Sequence, residues 1–293
     1  MAENLKYEIR EFKTRDGIKF PLYSWRAVSR QRDESETPDM IILHGMGSAP
    51  SEMAPLAEVA QEAGFNVLSY AMRNQGLDPR KEKHGKAFKL EEIFDDFREF
   101  LSQEFPGDKK FFLAGESMGG IFALSLMSDL KIRERVSGMI LLSPVIRLRR
   151  TLPVWQKVVA ELIYKIAPNL IISPALFVHG RSEPPQLTSD GIYESKGENR
   201  PHNVSAYALG FTVQVNLLME LAQKTVPEIS CPLLLLGGKY DPFIGEEQLR
   251  DEFEKFASAD KQIKIFEDTY HLIFFDRDAE MAKSLVFEWM RAH

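Results

Sequence analysis

The fold class predicted by the sequence is α/β: a mostly parallel sheet flanked by helices on both faces, with one inserted helical cap. Two observations carry this. Short, continuously apolar runs alternate with segments whose apolar residues recur at helical spacing, the pattern of a sheet buried on both faces. The alternation then stops near residue 146 and resumes at "CPLLLLGGKYD". The chain thus divides into a core formed by 1–145 and 227–293 and a helical cap, or lid, over 146–226.

The elements follow in order. "KYEIREFKT" and "IKFPLYSWRAV", joined by a turn at Arg15-Asp16-Gly17, read as a hairpin. After the polar connection "SRQRDESETPD", residues 40–45 (MIILHG) form a short buried strand, "SEMAPLAEVAQEAG" a helix, and residues 66–72 (NVLSYAM) the next strand. In "LEEIFDDFREFLSQEF", Leu90, Ile93, Phe94, Phe97 and Leu101 share a helical face. "KKFFLAGES" is a strand, "GIFALSLMSDL" a helix, and 138–145 (GMILLSPV) a strand. Within the insertion, "PVWQKVVAELIYKIAPNL" and "SAYALGFTVQVNLLMELAQK" are helical by spacing. The first carries a stripe of Trp155, Val158, Val159, Leu162, Ile163 and Ile166 between Pro153 and Pro168. Most of that stripe is expected to pack the cap onto the core. "EEQLRDEFEKFA", "QIKIFED" and "MAKSLVFEWMR" close the chain as helix, strand and helix.

Composition excludes several function classes. At 293 residues, with 44% hydrophobic and 27% charged, the chain is a folded domain with a substantial core. Its net charge of −6 argues against nucleic acid as a partner. The single cysteine, Cys231, precludes an internal disulfide and reads as a buried small residue. The start, "MAENLKYEIREF", shows no secretory leader, and no run approaches the roughly 18 apolar residues of a membrane span. A cytoplasmic location is the expectation.

The chemistry begins at "AGESMGG". Gly115-Glu116-Ser117-Met118-Gly119 matches G-x-S-x-G, with an apolar strand before it and a helical pattern after it. A serine hydroxyl needs a base to become a nucleophile. Of the six histidines, His84 lies in a charged run, His293 ends the chain, and His179 and His202 fall in the insertion. His271, in "EDTYHLIFF" beyond the last strand, is the candidate base. Asp241, at the end of the most apolar strand, is its candidate partner, with Asp268 the competitor only three residues from His271. The order Ser117, Asp241, His271 suits a triad in which the acid orients the imidazole. In "LHGMGS", Gly45 and Gly47 leave backbone N–H groups unobstructed, with His44 as part of the same loop. The amides of Met46 and Met118 are the expected oxyanion donors.

Together these residues resemble the α/β-hydrolase superfamily and, within it, the monoacylglycerol lipase, lysophospholipase-like and serine aminopeptidase-like (S33) branch. "ILHGMGS", "AGESMGG", "LLSPVI", "LIYKIAPNL", "VPEISCPLLLLGGKYDPF" and "DTYH" carry the likeness across nearly the whole chain. The resemblance implies an eight-stranded sheet, a helical cap and ester hydrolysis through an acyl-enzyme, without cofactor or metal. One turn departs from the pattern. The family's D-x-R-G-H-G becomes Ala71-Met72-Arg73-Asn74-Gln75-Gly76, keeping Arg73 and Gly76, and it is read as mainly structural. The second histidine common after "HG" is also missing.

The expected function is therefore a serine hydrolase acting on carboxylic esters with an apolar acyl chain, of monoacylglycerol or lysophospholipid type. Trp155, Leu162, Phe177, Tyr207 and Phe211, with Tyr193 nearby, are the candidates for acyl-chain contact, and part of the cap stripe is a candidate for transient membrane-surface contact. The alternatives are a small-ester carboxylesterase, or an aminopeptidase or amidase using Glu183, Asp190, Glu194 or Glu198 to grip an amine. A non-catalytic binding protein of the same fold would need a broken triad, which the sequence does not show.

Overall fold

Eight strands pair in the order β1-β2-β4-β3-β5-β6-β7-β8 in the computed structural model, which describes residues 7–28, 37–149, 153–171, 185–191, 193, 200–204 and 206–293. The hairpin β1 (Glu8–Lys13) and β2 (Lys19–Trp25) is antiparallel, and β2 also runs antiparallel to β4 (Asn66–Tyr70). Every remaining pair is parallel: β3 (Asp39–Leu43) with β4 and β5, β5 (Phe111–Glu116) with β6, β6 (Val136–Leu142) with β7, and β7 (Leu233–Gly238) with β8 (Lys261–Phe266). The continuously apolar runs are the central strands, because both of their faces are covered. Alternate residues of β5 show it: Phe111 and Leu113 enter one core cluster, Phe112 and Ala114 the other.

One face is covered by α1 (Ala54–Glu62) and α8 (Ala279–Ala292), the other by α2 (Leu90–Glu104) and α3 (Met118–Leu126). The short α4 (Leu130–Arg133) precedes β6, and α7 (Glu246–Glu254) lies between β7 and β8. The expected first helix is split: Pro50–Met53 is a 3-10 turn and α1 proper begins at Ala54.

Between β6 and β7 lie α5 (Val154–Ile166) and α6 (Leu209–Thr225). The helix expected from Ser205 starts four residues later, since Ala208 is extended and forms an isolated bridge with Ile171. The two helices differ in cover. Phe211, Leu218, Met219 and Ala222 of α6 belong to the main core cluster. Trp155, Val158, Val159, Leu162 and Ile166 of α5 are exposed, so the expectation that this stripe packs the cap onto the core is corrected. Its inward link is Tyr164, whose hydroxyl accepts a 3.0 Å hydrogen bond from Gln214 of α6. No helix among the described residues is long and apolar enough to cross a membrane.

Candidate active site

Met46, Ser117, Asp241 and His271 all follow the carboxyl ends of parallel strands. Ser117 follows β5 at φ 53°, ψ −115°, a left-handed backbone that costs a non-glycine residue about 1–3 kcal/mol. Two bonds hold it there: Ser117 N–H donates to the Leu142 carbonyl at 2.9 Å, and Ile121 N–H donates to the Ser117 carbonyl at 3.2 Å. The flanking glycines are a matter of space. A Cβ on Gly115 would lie 2.4 Å from the Gly119 carbonyl oxygen, and one on Gly119 would lie 2.1 Å from that of Leu43. Any side chain at either position would push the elbow off the sheet.

The loop after β3 comes within contact of that elbow, since a Cβ on Gly45 would stand 3.4 Å from the Ser117 Cβ. His44 fixes the loop rather than acting as a base. Its Nε2 accepts from Met72 N–H at 3.0 Å, which places the proton on Nδ1, and that N–H donates to the Gly45 carbonyl at 2.9 Å. Burial lowers its pKa to about 4, so the ring is neutral. Gly47 takes φ 72°, and its N–H donates to Gln75 Oε1 at 3.1 Å, while Gln75 Nε2 lies 3.7 Å from Met118 Sδ. The Met46 side chain is exposed, whereas that of Met118 is buried. Met118 opens α3, where first-turn N–H groups have no intrahelical acceptor.

Gln75 is a site residue that sequence reasoning missed. The available signal was its place in the altered turn, at the position where the resembled pattern has histidine. Asn74, at the position of that pattern's first glycine, adopts φ 60°, and its amide donates to the Lys86 and Ala87 carbonyls at 3.0 Å each.

Asp241 and His271 meet across the ends of β7 and β8. Asp241 Oδ2 accepts from His271 Nδ1 at 2.6 Å, and Asp241 Oδ1 accepts the backbone N–H groups of Phe243 at 2.8 Å and Ile244 at 3.2 Å. Both side chains are buried, and Phe243 sets its ring edge-to-face on the imidazole at 4.7 Å. Burial opposes charging of His271, but the charge and hydrogen bond of Asp241 outweigh it, with Glu116 adding, so the pKa lies above the usual histidine value. The competitor Asp268 is exposed.

Glu116, in the sequence only a variable position of the motif, is buried next to Ser117, and burial raises its pKa to about 7. Glu52 is half-buried nearby and accepts the Tyr193 hydroxyl at 2.6 Å, with Arg200 Nε at 3.3 Å. His202 Nε2 lies 3.2 Å from Glu52 Oε1, though outside hydrogen-bonding geometry. Tyr193, expected near an acyl chain, is therefore engaged with Glu52.

Of the other proposed substrate contacts, Tyr207 and Phe211 are buried together with ring centroids 4.7 Å apart, and the Tyr207 hydroxyl stands 3.1 Å from where a Gly47 Cβ would be. Trp155 and Leu162 are exposed on α5, and Phe177 lies outside the described residues. So do His179, Glu183, Glu194 and Glu198, while Asp190 is described and exposed. Cys231 is a free thiol whose pKa burial pushes up to about 11, unsuited to nucleophilic work at neutral pH. His84 and His293 bond to the Asp78 and Trp289 carbonyls, away from Ser117 in the chain. Among the described residues no group of three or more His, Cys, Asp or Glu could hold a metal ion.

Comparison with known proteins adds to this geometry. The family model described as serine aminopeptidase, S33, matches residues 36–278. Phospholipase YtpA of Bacillus subtilis is 23% identical over 264 residues, covering 88% of this chain and 95% of its own length. Human monoglyceride lipase is 23% identical over 253 residues, covering 81% and 77%. A solved structure of a soluble variant of Saccharomyces cerevisiae monoglyceride lipase, in complex with a substrate analog, superposes with TM-score 0.78 at 20% identity. It covers 100% of this chain and 98% of that one. The fold is thus that of the α/β-hydrolases, as the sequence resemblance implies.

Proposed function

The chain belongs to the serine aminopeptidase S33 family of α/β-hydrolases, and from that premise we propose that it cleaves esters of apolar acyl chains, of monoacylglycerol or lysophospholipid type, through Ser117, His271 and Asp241. It is a carboxylic ester hydrolase. The observation that carries the mechanism is the buried His271–Asp241 pair, 2.6 Å apart, at the same sheet edge as a serine held at positive φ. The ester preference draws on the phospholipase and monoglyceride lipases it resembles.

His271 Nε2 takes the proton as Ser117 Oγ bonds to the ester carbonyl carbon, and the carbonyl oxygen becomes an oxyanion facing the Met46 and Met118 amides. Asp241 fixes the imidazole tautomer and stabilises its charged form. Collapse of the adduct breaks the bond to the alcohol oxygen, which receives the proton from His271. Water then adds to the acyl-enzyme with His271 as base, releasing the fatty acid and restoring Ser117. Residues 146–226 act as a cap over this edge. The bare apolar face of α5 supplies transient contact with a lipid surface, and Tyr207 and Phe211 border the acyl site. A cytoplasmic setting suits the free thiol of Cys231.

A second reading has its own support. The buried Glu116 next to Ser117, with the half-buried Glu52 close enough to act on its charge, would suit a substrate bearing an amine near the scissile carbonyl, as in an aminopeptidase or amidase. Both are tested by one panel: a long-chain monoacylglycerol, the matching lysophosphatidylcholine and thioester, a short-chain ester and an aminoacyl amide, each beside Ser117→Ala. Ser117-dependent preference for a long-chain lipid ester is the expected result. Preference for the aminoacyl amide replaces the first reading with the second, and activity confined to the short ester removes the lipid assignment.

A further inference from the structure

The backbone around His271 is held from outside the triad. Leu187, in the insertion segment 185–191, offers one carbonyl to two donors, His271 N–H at 3.0 Å and Leu272 N–H at 3.1 Å. Two residues along the same segment, Ser189 donates to Asp276 Oδ1 through its N–H at 3.0 Å and through its hydroxyl. Arg277 N–H adds a third donor to that oxygen at 2.9 Å. The other carboxylate oxygen, Asp276 Oδ2, accepts Tyr270 N–H at 2.8 Å, one residue before His271. A closed ring results: Asp276 to Tyr270, through the chain to His271, across to Leu187, along to Ser189 and back to Asp276.

We propose that Asp276 is a positioning residue for His271, and that through Ser189 it ties the insertion to the catalytic base. The proposal rests on His271 being that base. Tyr270, His271 and Leu272 follow β8 outside the sheet. Although Asp278 holds Asp268 and Thr269 within the core, the amides of His271 and Leu272 themselves bond only to the Leu187 carbonyl among the described residues. His271 must meet both Asp241 and the serine proton, so a loop error of a fraction of an ångström lengthens a 2.6 Å contact directly. The arrangement also has a functional consequence. Movement of segment 185–191 withdraws the Leu187 carbonyl and Ser189 together, so displacement of this part of the insertion loosens the base, while its seating aligns it.

Asp276→Asn separates the two halves of the ring. One amide oxygen can still serve the three donors at the Oδ1 position, and the amide NH2 then confronts the Tyr270 N–H, donor against donor. Ser189→Ala cuts only the side-chain link to the insertion. Steady-state kinetics on a soluble short ester, the pH profile of kcat/KM and the thermal midpoint would be measured for both variants beside wild type and His271→Ala. The expected result for Asp276→Asn is a fall in kcat on the order of tenfold to a hundredfold, the scale that misplacing a catalytic group by about 1 Å produces. KM should stay within about twofold, since uniform binding is untouched. The acid limb should move to lower pH as His271 loses the full influence of Asp241 and Glu116. Ser189→Ala should show the same signature with a smaller loss, which keeps the test decisive if Asp276→Asn folds poorly.

Wild-type kcat and pH profile in both folded variants would overturn the proposal, as would a loss of activity that merely follows the unfolded fraction. Activity surviving His271→Ala overturns the triad reading and the proposal together. Loss in His271→Ala beside wild-type behaviour in Asp276→Asn and Ser189→Ala overturns the proposal alone.

Discussion

Helices α5 and α6 have similar sequence character and opposite surroundings. Both are amphipathic members of the insertion. In α6 the apolar side is absorbed by the core: Phe211 packs on Phe88 with ring centroids 5.0 Å apart, and Leu218, Met219 and Ala222 are buried. In α5 the corresponding side is bare, with Trp155 65% and Ile166 87% exposed. An apolar stripe says that a face gains by leaving water; it does not say what covers it. For α6 the cover is α3 and Phe88. For α5 it is the proposed lipid surface, consistent with the general rule that contiguous exposed apolar patches mark contact sites.

Substitutions in the two helices should separate stability from lipid contact. The largest stability effect is expected in α6, where Phe211→Ala should lower unfolding free energy by about 3–5 kcal/mol in a denaturant titration. A change under about 1 kcal/mol would mean that α6 is not part of the cooperative core.

Next comes the loop that shares the site with α6. Gln75→Ala removes the acceptor of Gly47 N–H, and kcat on a soluble ester should fall by about tenfold with KM little changed, less than the loss of a direct oxyanion donor. Unchanged kcat would show that Gln75 does not set this loop.

A pH measurement addresses the site's buried charges. His271 must be neutral to act as base, and its pKa is raised, so kcat/KM should climb with pH through a value above that of an ordinary histidine. Glu116→Gln removes a carboxylate that favours the imidazolium, so the acid limb should shift to lower pH. Stability should respond as well. Because the Glu116 pKa is raised to about 7 in the fold, the native state favours its protonated form, and that contribution is lost as pH rises from about 4.5 through 7. Wild type should therefore lose more stability between pH 5 and pH 8 than Glu116→Gln does. An acid limb that stays in place would remove Glu116 from the electrostatics of the base.

The smallest stability effect belongs to α5. Trp155→Ala and Leu162→Ala should each change unfolding free energy by no more than about 0.5 kcal/mol. Paired together, they should reduce flotation with monoacylglycerol-containing vesicles while leaving soluble-ester turnover intact. Equal flotation of wild type and double variant would leave α5 without its proposed lipid role.

Much of this architecture was legible in the sequence because it depends on local pattern. The central strands announce themselves as unbroken apolar runs, and Ser117 and Asp241 each follow one of them, while His271 lies beyond the alternating edge strand β8. What could not be read depends on contacts between distant segments. Gln75 reaches Gly47 across 28 residues, and Asp276 reaches Ser189 across 87, through backbone groups whose identity the sequence does not encode. The bare side of α5 was equally hidden, since a covered stripe and an open one have the same spacing. Trp155 and Leu162, expected near the acyl chain from that stripe, stand on the outer surface instead.

The central claim, that Ser117 is the nucleophile and His271 with Asp241 its activating pair, is most directly tested by intact-mass analysis after reaction with a long-chain fluorophosphonate. A single adduct mapping to Ser117 is predicted, absent in Ser117→Ala and formed far more slowly in His271→Ala and Asp241→Asn. Equal labelling of Ser117→Ala, or an adduct on another residue, would contradict it.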